Sequence, residues 1–190
     1  MTPVSTVYYL PGHGGQLSSG LGQGLMERGF AVAGRETRGG FKDLGFLDQV
    51  AVVADDLKNN FWSEDAYIVA NSYGGYLFLH AQAGLPPYPG KVLLLSPIIG
   101  GFSDEATMRV FSPPYENRLL EIAQAGKYPR PINATVHTGS EDWQSHPDAV
   151  KHFFGFLNIQ VTVADGRGHM LGKDYVGNLL DMWLPAKCTK

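Results

Sequence analysis

The stretch Ala66-Tyr-Ile-Val-Ala-Asn-Ser72-Tyr-Gly-Gly75 decides the fold: an apolar strand, a serine, two glycines and then a helical pattern. A turn this sharp strains the serine backbone. Small residues must stand two before and two after it, or strand and helix collide; here they are Ala70 and Gly74, with Gly75 behind. The pattern is the elbow G-x-S-x-G with alanine at its first glycine. Such an elbow lifts the serine hydroxyl above the C-terminal edge of a sheet, where open α/β sheets bind ligands. The helix that follows aims its N-terminal dipole, and the Tyr73 N–H, at the place where an oxyanion would form. An ordinary βα turn with a serine N-cap looks the same locally, so partners elsewhere in the chain must decide.

Outward from the elbow, short β-branched and aromatic runs alternate with longer helical patterns. Strands are expected at Thr6–Leu10, Ala31–Glu36, Ala66–Ala70, Lys91–Ser96, Ala134–Thr138 and Gln160–Ala164. Helices are expected near Leu17–Arg28, Leu47–Asn60, Tyr76–Ala83, Asp148–Leu157 and Tyr175–Trp183. Several strands are continuously apolar, which suits a parallel sheet covered on both faces. The alternation predicts one α/β domain over residues 1–190, with a doubly wound sheet of about six strands and helices on both faces. The connection from Pro97 to Ile132 is too long for one crossover helix. It holds a helical start at Ser103-Asp-Glu, then Pro113-Pro114 and a second helical pattern at Glu116–Ala125. Two packed crossover helices and a small lid both fit it.

Serine is a poor nucleophile at neutral pH and needs a base, usually a histidine oriented by a carboxylate. Downstream, a strand ends in Gly139-Ser-Glu-Asp142, and a later one in Asp165-Gly-Arg-Gly-His169. Both leave the sheet edge that carries Ser72, in the order Ser, acid, His. Ser72, Asp142 and His169 are therefore the candidate catalytic residues, with Glu141 the rival acid. Asp148 reads as part of a capping box opened by Ser145, and Asp165 sits too close behind its strand. His80 reads as a satisfied packing residue, and His137, His146 and His152 lie in a strand, a cap and a helix. No spacing suggests a metal site, and no cofactor is expected.

The first strand runs into Pro11-Gly12-His-Gly-Gly15. Such a loop can give a second oxyanion donor; His13 N–H is favoured, with Gly14 or Gly15 serving in another register. A phosphate-binding loop competes, but no G-K-[ST] follows, and Gly20, Gly22 and Gly24 are wrongly spaced for a dinucleotide fingerprint.

Composition narrows the partners. The 190 residues carry 15 basic and 18 acidic side chains, a net charge of −3, and no basic stripe that would mark nucleic acid as partner. No apolar run reaches the roughly 20 residues of a membrane span, and the first ten residues do not read as a secretory signal. The single cysteine, Cys188, excludes an intrachain disulfide and favours a reducing compartment, and the sequon at Asn133 reads as chance, so a cytoplasmic protein is expected. The anomaly is glycine, 24 of 190, eleven of them in the first 45 residues. Gly20, Gly22 and Gly24 fall inside an expected helix; either it starts late or it packs unusually close to the active-site loops.

The elbow, the Gly139-x-x-Asp142 loop and the Gly166-x-Gly168-His169 loop together resemble the α/β-hydrolase superfamily. Thr37-Arg-Gly39-Gly-Phe41 is similar to that family's D-x-R-G-x-G stretch, with threonine for aspartate. The length and the serine-x-Gly-Gly form resemble small, nearly capless serine esterases, including the retinoblastoma-binding-protein-like hydrolases. The resemblance runs from Thr6 to Trp183. It implies the usual sheet without its first two strands, in the order 2-1-3-4-5-6, and a small lid at residues 98–131. Two departures are Ala70 and the lack of a His-Gly pair opening the first loop; the second leaves the oxyanion donor open.

The expected activity is hydrolysis of a small carboxylic ester through an acyl-enzyme. The alternatives are thioester hydrolysis on the same groups and a non-catalytic binding or scaffold protein. Tyr73 and His13 are the expected oxyanion donors. Gly12, Gly14, Phe41, Phe102, Phe111, Tyr115, Trp143 and Met170 are the expected pocket walls, and a small acyl compound is the expected partner.

Overall fold

The computed structural model describes residues 5–104 and 108–185. The elements run β1 (Thr6–Leu10), α1 (Leu21–Glu27), β2 (Ala31–Gly34), α2 (Gly39–Lys42), α3 (Phe46–Asn60), β3 (Tyr67–Asn71), α4 (Tyr73–Gln82) and β4 (Lys91–Leu95). They continue with β5 (Phe102–Asp104), β6 (Arg109–Phe111), α5 (Arg118–Gln124), β7 (Asn133–Gly139), α6 (Pro147–Phe156), β8 (Val161–Ala164) and α7 (Lys173–Trp183). Six strands form a parallel sheet in the order β2-β1-β3-β4-β7-β8, the order the resemblance implied.

The pleat explains why the inner strands β1, β3 and β4 are apolar on both faces. Tyr8, Leu10, Ile68, Ala70, Val92 and Leu94 face α3, α4, α5 and α6 in one core. Their neighbours Val7, Tyr9, Tyr67, Val69, Leu93 and Leu95 face α1 and α7 in the other. Side chains alternate between faces, so a strand buried on both sides cannot carry a polar stripe. Helix α4 is apolar nearly all round and is accordingly buried from Gly74 to Gln82.

One polar cluster anchors α3 to the sheet. The Asp56 carboxylate accepts from the buried Tyr8 hydroxyl at 2.7 Å and, through both oxygens, from Arg35 at 2.6 Å each. Asp56→Ala leaves the Tyr8 hydroxyl buried without an acceptor. A loss of about 2 kcal/mol is expected, read as a lower urea midpoint at unchanged slope; a midpoint equal to that of the unaltered protein would contradict this account.

Several boundaries differ from expectation. Helix α1 begins at Leu21 rather than Leu17, and a Cβ on Gly22 would lie 1.9 Å from the Leu17 carbonyl oxygen. The helix starts late, the first of the two explanations; its close contact is with the preceding backbone at Leu17, not with the active-site loops. Strand β2 stops at Gly34, whose φ of +146° and close approach to the Tyr9 carbonyl exclude a side chain. The next residues turn away, Arg35 to Asp56 and Glu36 to the Leu17 N–H. Helix α4 starts at Tyr73, earlier than the expected Tyr76, because Ser72 itself is its N-cap.

Among its described residues, the connection from 98 to 131 holds a hairpin and one helix rather than two helices. The expected helical start at Ser103 is strand β5 instead, although Glu105 lies outside the described residues. Strand β5 pairs antiparallel with β6, and Phe102 lies opposite Phe111 with ring centroids 4.8 Å apart. That aromatic cross-strand pair outweighs the capping signal. The C-terminal arm of this insert is tied down: the Tyr76 hydroxyl donates to the Pro114 carbonyl at 2.7 Å, and Tyr115 stacks on Phe46. The helix opening at α6 is also capped differently from the expected box. His146 Nδ1 accepts from the Asp148 N–H, while Ser145 is buried and donates to the Pro97 carbonyl. No described helix is long and apolar enough to cross a membrane. Cys188 lies outside the described residues.

Candidate active site

Ser72 stands at the β3–α4 junction with φ +52° and ψ −120°, a conformation that costs a non-glycine residue roughly 1–3 kcal/mol. The surroundings hold it there. Its N–H donates to the Leu95 carbonyl, and its own carbonyl accepts from Tyr76 and Ile98. Gly74 is required for the turn, since a Cβ there would meet the Leu10 carbonyl oxygen at 2.0 Å. Gly12 lies against the serine, where a Cβ would be 3.2 Å from Ser72 Cβ.

The loops after β7 and β8 bring Asp142 and His169 to the same edge. His169 Nε2 lies 2.8 Å from Ser72 Oγ, and its Nδ1 lies 2.9 and 3.0 Å from the two Asp142 oxygens. A carboxylate only accepts, so Nδ1 carries the proton facing it and Nε2 faces the serine hydroxyl as acceptor. Asp142 is 1% exposed. Its Oδ1 also accepts from the N–H groups of Gln144 and Ser145 at 3.0 and 2.8 Å. Burial pushes its carboxyl up, but His169, the Ser145 amide and the Ser96 hydroxyl outweigh that and hold it below the ordinary carboxylate range. It is ionised at neutral pH.

The competing residues lie elsewhere. The Glu141 side chain is exposed while its N–H donates to the Arg167 carbonyl. Asp148 and Asp165 are exposed. His137 pairs with the Tyr175 hydroxyl at 2.7 Å. His80 packs between Phe46 and Tyr76 as expected of a core histidine, but its Nε2 has no hydrogen-bond partner among the described residues. Burial first, and then Arg118, push it down to about 4, so it is neutral. Among the described residues no cluster of three or more His, Cys, Asp or Glu has the arrangement of a metal site.

The glycine loop after β1 is stapled by Thr37, the residue that stands where the resemblance has aspartate. Gly14 N–H donates to the Thr37 carbonyl, Gly15 N–H to the Gly12 carbonyl and to Thr37 Oγ1, and Thr37 Oγ1 in turn donates to the Gly12 carbonyl. His13 is exposed, its ring edge-on to Tyr73 at 6.0 Å. The Tyr73 hydroxyl donates to Gln49 Oε1, and Gln49 Nε2 donates to the Leu44 carbonyl in the α2–α3 turn.

The expected pocket walls fall into separate groups rather than one ring. Phe102, Phe111 and Trp143 form one aromatic cluster, with Phe102 edge-on to Trp143 at 5.5 Å. Tyr115 belongs to another, stacked on Phe46, which touches Tyr76 in turn. Phe41 packs against the larger core, Met170 is 80% exposed, and Gly14 borders open space. Phe46 and Gln49 escape sequence reading because their helical spacing marks them as ordinary core-facing positions of α3. A depression of about 450 Å³ lies on the insert beside Ser112, Tyr115 and Arg118, and one of about 290 Å³ beside Arg130 and Ile132. The lining of neither includes Ser72, Asp142 or His169.

No family model and no curated protein sequence matches the chain. Among solved structures it is similar to the esterase Est1E from Butyrivibrio proteoclasticus, at 16% identity over 95% of this chain and 88% of that one, TM-score 0.65. The Pyrococcus furiosus esterase Pf2001 aligns at 18% identity over 96% and 84% of the two chains, TM-score 0.60. TT1662 from Thermus thermophilus aligns at 19% identity over 97% and 91%, TM-score 0.65. These likenesses establish the α/β-hydrolase fold.

Proposed function

We propose that this chain is a serine hydrolase cleaving small carboxylic esters through an acyl-enzyme. One observation carries the reading: Ser72, His169 and Asp142, from three strand ends, form an unbroken hydrogen-bonded line of 2.8 Å and 2.9 Å. Ser72 Oγ attacks the ester carbonyl while its proton passes to His169 Nε2. The buried Asp142 carboxylate stabilises the imidazolium and fixes its tautomer. Collapse of the tetrahedral adduct expels the alcohol, which takes the proton from Nε2. Water, deprotonated by the same nitrogen, then releases the acid and restores Ser72.

The adduct's oxyanion accepts from the N–H groups of Tyr73 and His13, each worth about 10²–10³ in rate. The assignment of His13 is supported by the hydrogen bonds that engage the Gly14 and Gly15 N–H groups within their own loop. The Phe102–Phe111–Trp143 cluster, whose last member follows Asp142, offers planar apolar surface to an acyl or alcohol group. The similarity to a structure of Est1E with ferulic acid bound, at 17% identity, accords with including esters of aromatic acids in the substrate panel.

A fluorophosphonate probe should label the folded protein on Ser72, and p-nitrophenyl esters of graded acyl length, with aryl esters, should be turned over. Faster cleavage of the matched acyl thioesters would move the assignment to a thioesterase. Folded protein left unlabelled where a known esterase reacts would overturn the catalytic reading in favour of a binding role.

A further inference from the structure

Strand β4 ends between the strand that leads to the nucleophile and the strand that leads to the acid. The residue just past it, Ser96, has features that the steps above do not use. It is 2% exposed, and its N–H donates to the His137 carbonyl of β7 at 2.7 Å. Its φ is +44°, in the left-handed region that non-glycine residues enter at a cost. Such strain persists where the surroundings demand it, and it clusters at functional sites.

Its hydroxyl is equally unusual. Ser96 Oγ is buried with no partner at hydrogen-bonding geometry among the described residues. A hydroxyl left in that state costs roughly 1–3 kcal/mol. The buried Asp142 carboxylate is unevenly satisfied: Oδ1 accepts from two backbone amides as well as the imidazole, whereas Oδ2 is met only by the imidazole among the described residues. The Ser96 hydroxyl lies near enough to this carboxylate to be one of the groups that lower its pKa against the opposing effect of burial. An unpaired buried donor thus sits beside a buried anion with an open lone pair.

We infer that Ser96 is a positioning residue, whose hydroxyl donates to the Asp142 carboxylate and holds the acid in line with His169 as charge develops on the imidazole. This rests on the proposed roles of Ser72, Asp142 and His169. The hydroxyl does not touch substrate. It competes with the imidazole for the carboxylate, so it both orients Asp142 and moderates its pull on the Nδ1 proton. The titratable groups linked to it are Asp142, which pairs with His169, and, through the Ser96 N–H and the His137 carbonyl, His137, whose ring pairs with Tyr175.

Two substitutions separate the hydroxyl from the backbone. Ser96→Ala removes the hydroxyl and leaves a side chain at positive φ; Ser96→Gly removes it and relieves the φ cost. Both should lower kcat about tenfold, the worth of one hydrogen bond to a charged group, with KM within about twofold. In both, the carboxylate attracts the imidazolium proton more strongly, so the acid limb of kcat/KM moves to higher pH. The Nδ1 proton resonance, which can be read without turnover, moves further downfield.

A role in backbone geometry alone predicts otherwise. Ser96→Gly would then equal or exceed the unaltered protein in activity and thermal midpoint, and neither the acid limb nor the resonance would move. That result, or activity loss that merely follows stability, overturns the inference. If the unaltered protein fails to react with fluorophosphonate, the reading of Ser72 fails instead, and the Nδ1 resonance still reports on Ser96.

Discussion

Ser72→Ala should remove ester turnover by at least about 10⁴-fold while leaving the fold intact, because the residual catalysis of such a site comes from oxyanion donors and binding alone. The loss has a geometric origin. Ser72 Oγ is the hydroxyl that meets His169 Nε2, at 2.8 Å. Asp142→Asn should cost about 10³–10⁴-fold, since an amide that donates to Nδ1 would favour the wrong imidazole tautomer. Glu141→Gln should stay within about twofold, because the Glu141 side chain points into solvent. Steady-state kinetics on one p-nitrophenyl ester, with circular dichroism to check folding, measures all three. Equal losses in the two acid variants would undo the choice between neighbouring carboxylates.

Gly74→Ala is expected to be among the most damaging single methyl additions to the described residues. Its Cβ would lie 2.0 Å from the Leu10 carbonyl oxygen and 2.6 Å from that of Pro11. Those are backbone atoms at the end of an inner strand and the start of the loop after it, and they cannot swing aside as a side-chain tip would. An overpacking cost on the order of 3–5 kcal/mol follows, enough to lower the melting temperature by roughly 10 °C. Gly75→Ala is a useful contrast, because its Cβ meets Pro97 Cβ at 2.9 Å. That milder contact is offset by the gain of about 1 kcal/mol for alanine over glycine in a helix. Differential scanning calorimetry should rank the two variants clearly, and similar midpoints would show that the elbow can open to admit a methyl group.

Most of the sheet is legible in the chain because its inner strands β1, β3 and β4 are buried on both faces and read as nearly unbroken apolar runs. The hydrogen-bonded line of Ser72, His169 and Asp142 is legible because its members follow separate strands in a fixed order. What escapes is whatever depends on distant partners. Strands β5 and β6 are three residues each, too short to carry a period of two, and Ser103-Asp-Glu mimics a helix cap. Phe46 reads as one more apolar position of α3, yet it carries the contact with Tyr115 of the insert. Ser96 sits one residue past an ordinary strand, and nothing in its neighbours betrays either its positive φ or its burial beside Asp142. Thr37 is visible as a departure from a familiar motif, but its grip on a loop 22 residues earlier is a tertiary fact.

That grip bears on how the reaction would be timed. Thr37 holds the glycine loop through its own carbonyl and hydroxyl, before any ester arrives. The backbone dipoles that this loop is proposed to turn towards an oxyanion are therefore oriented during folding rather than recruited by the substrate. Solvent water facing the same nascent charge would have to reorient at each turnover, and a stapled loop does not. The turn after strand β2, which bears no reacting group, would thereby lower the reorganisation energy at the centre.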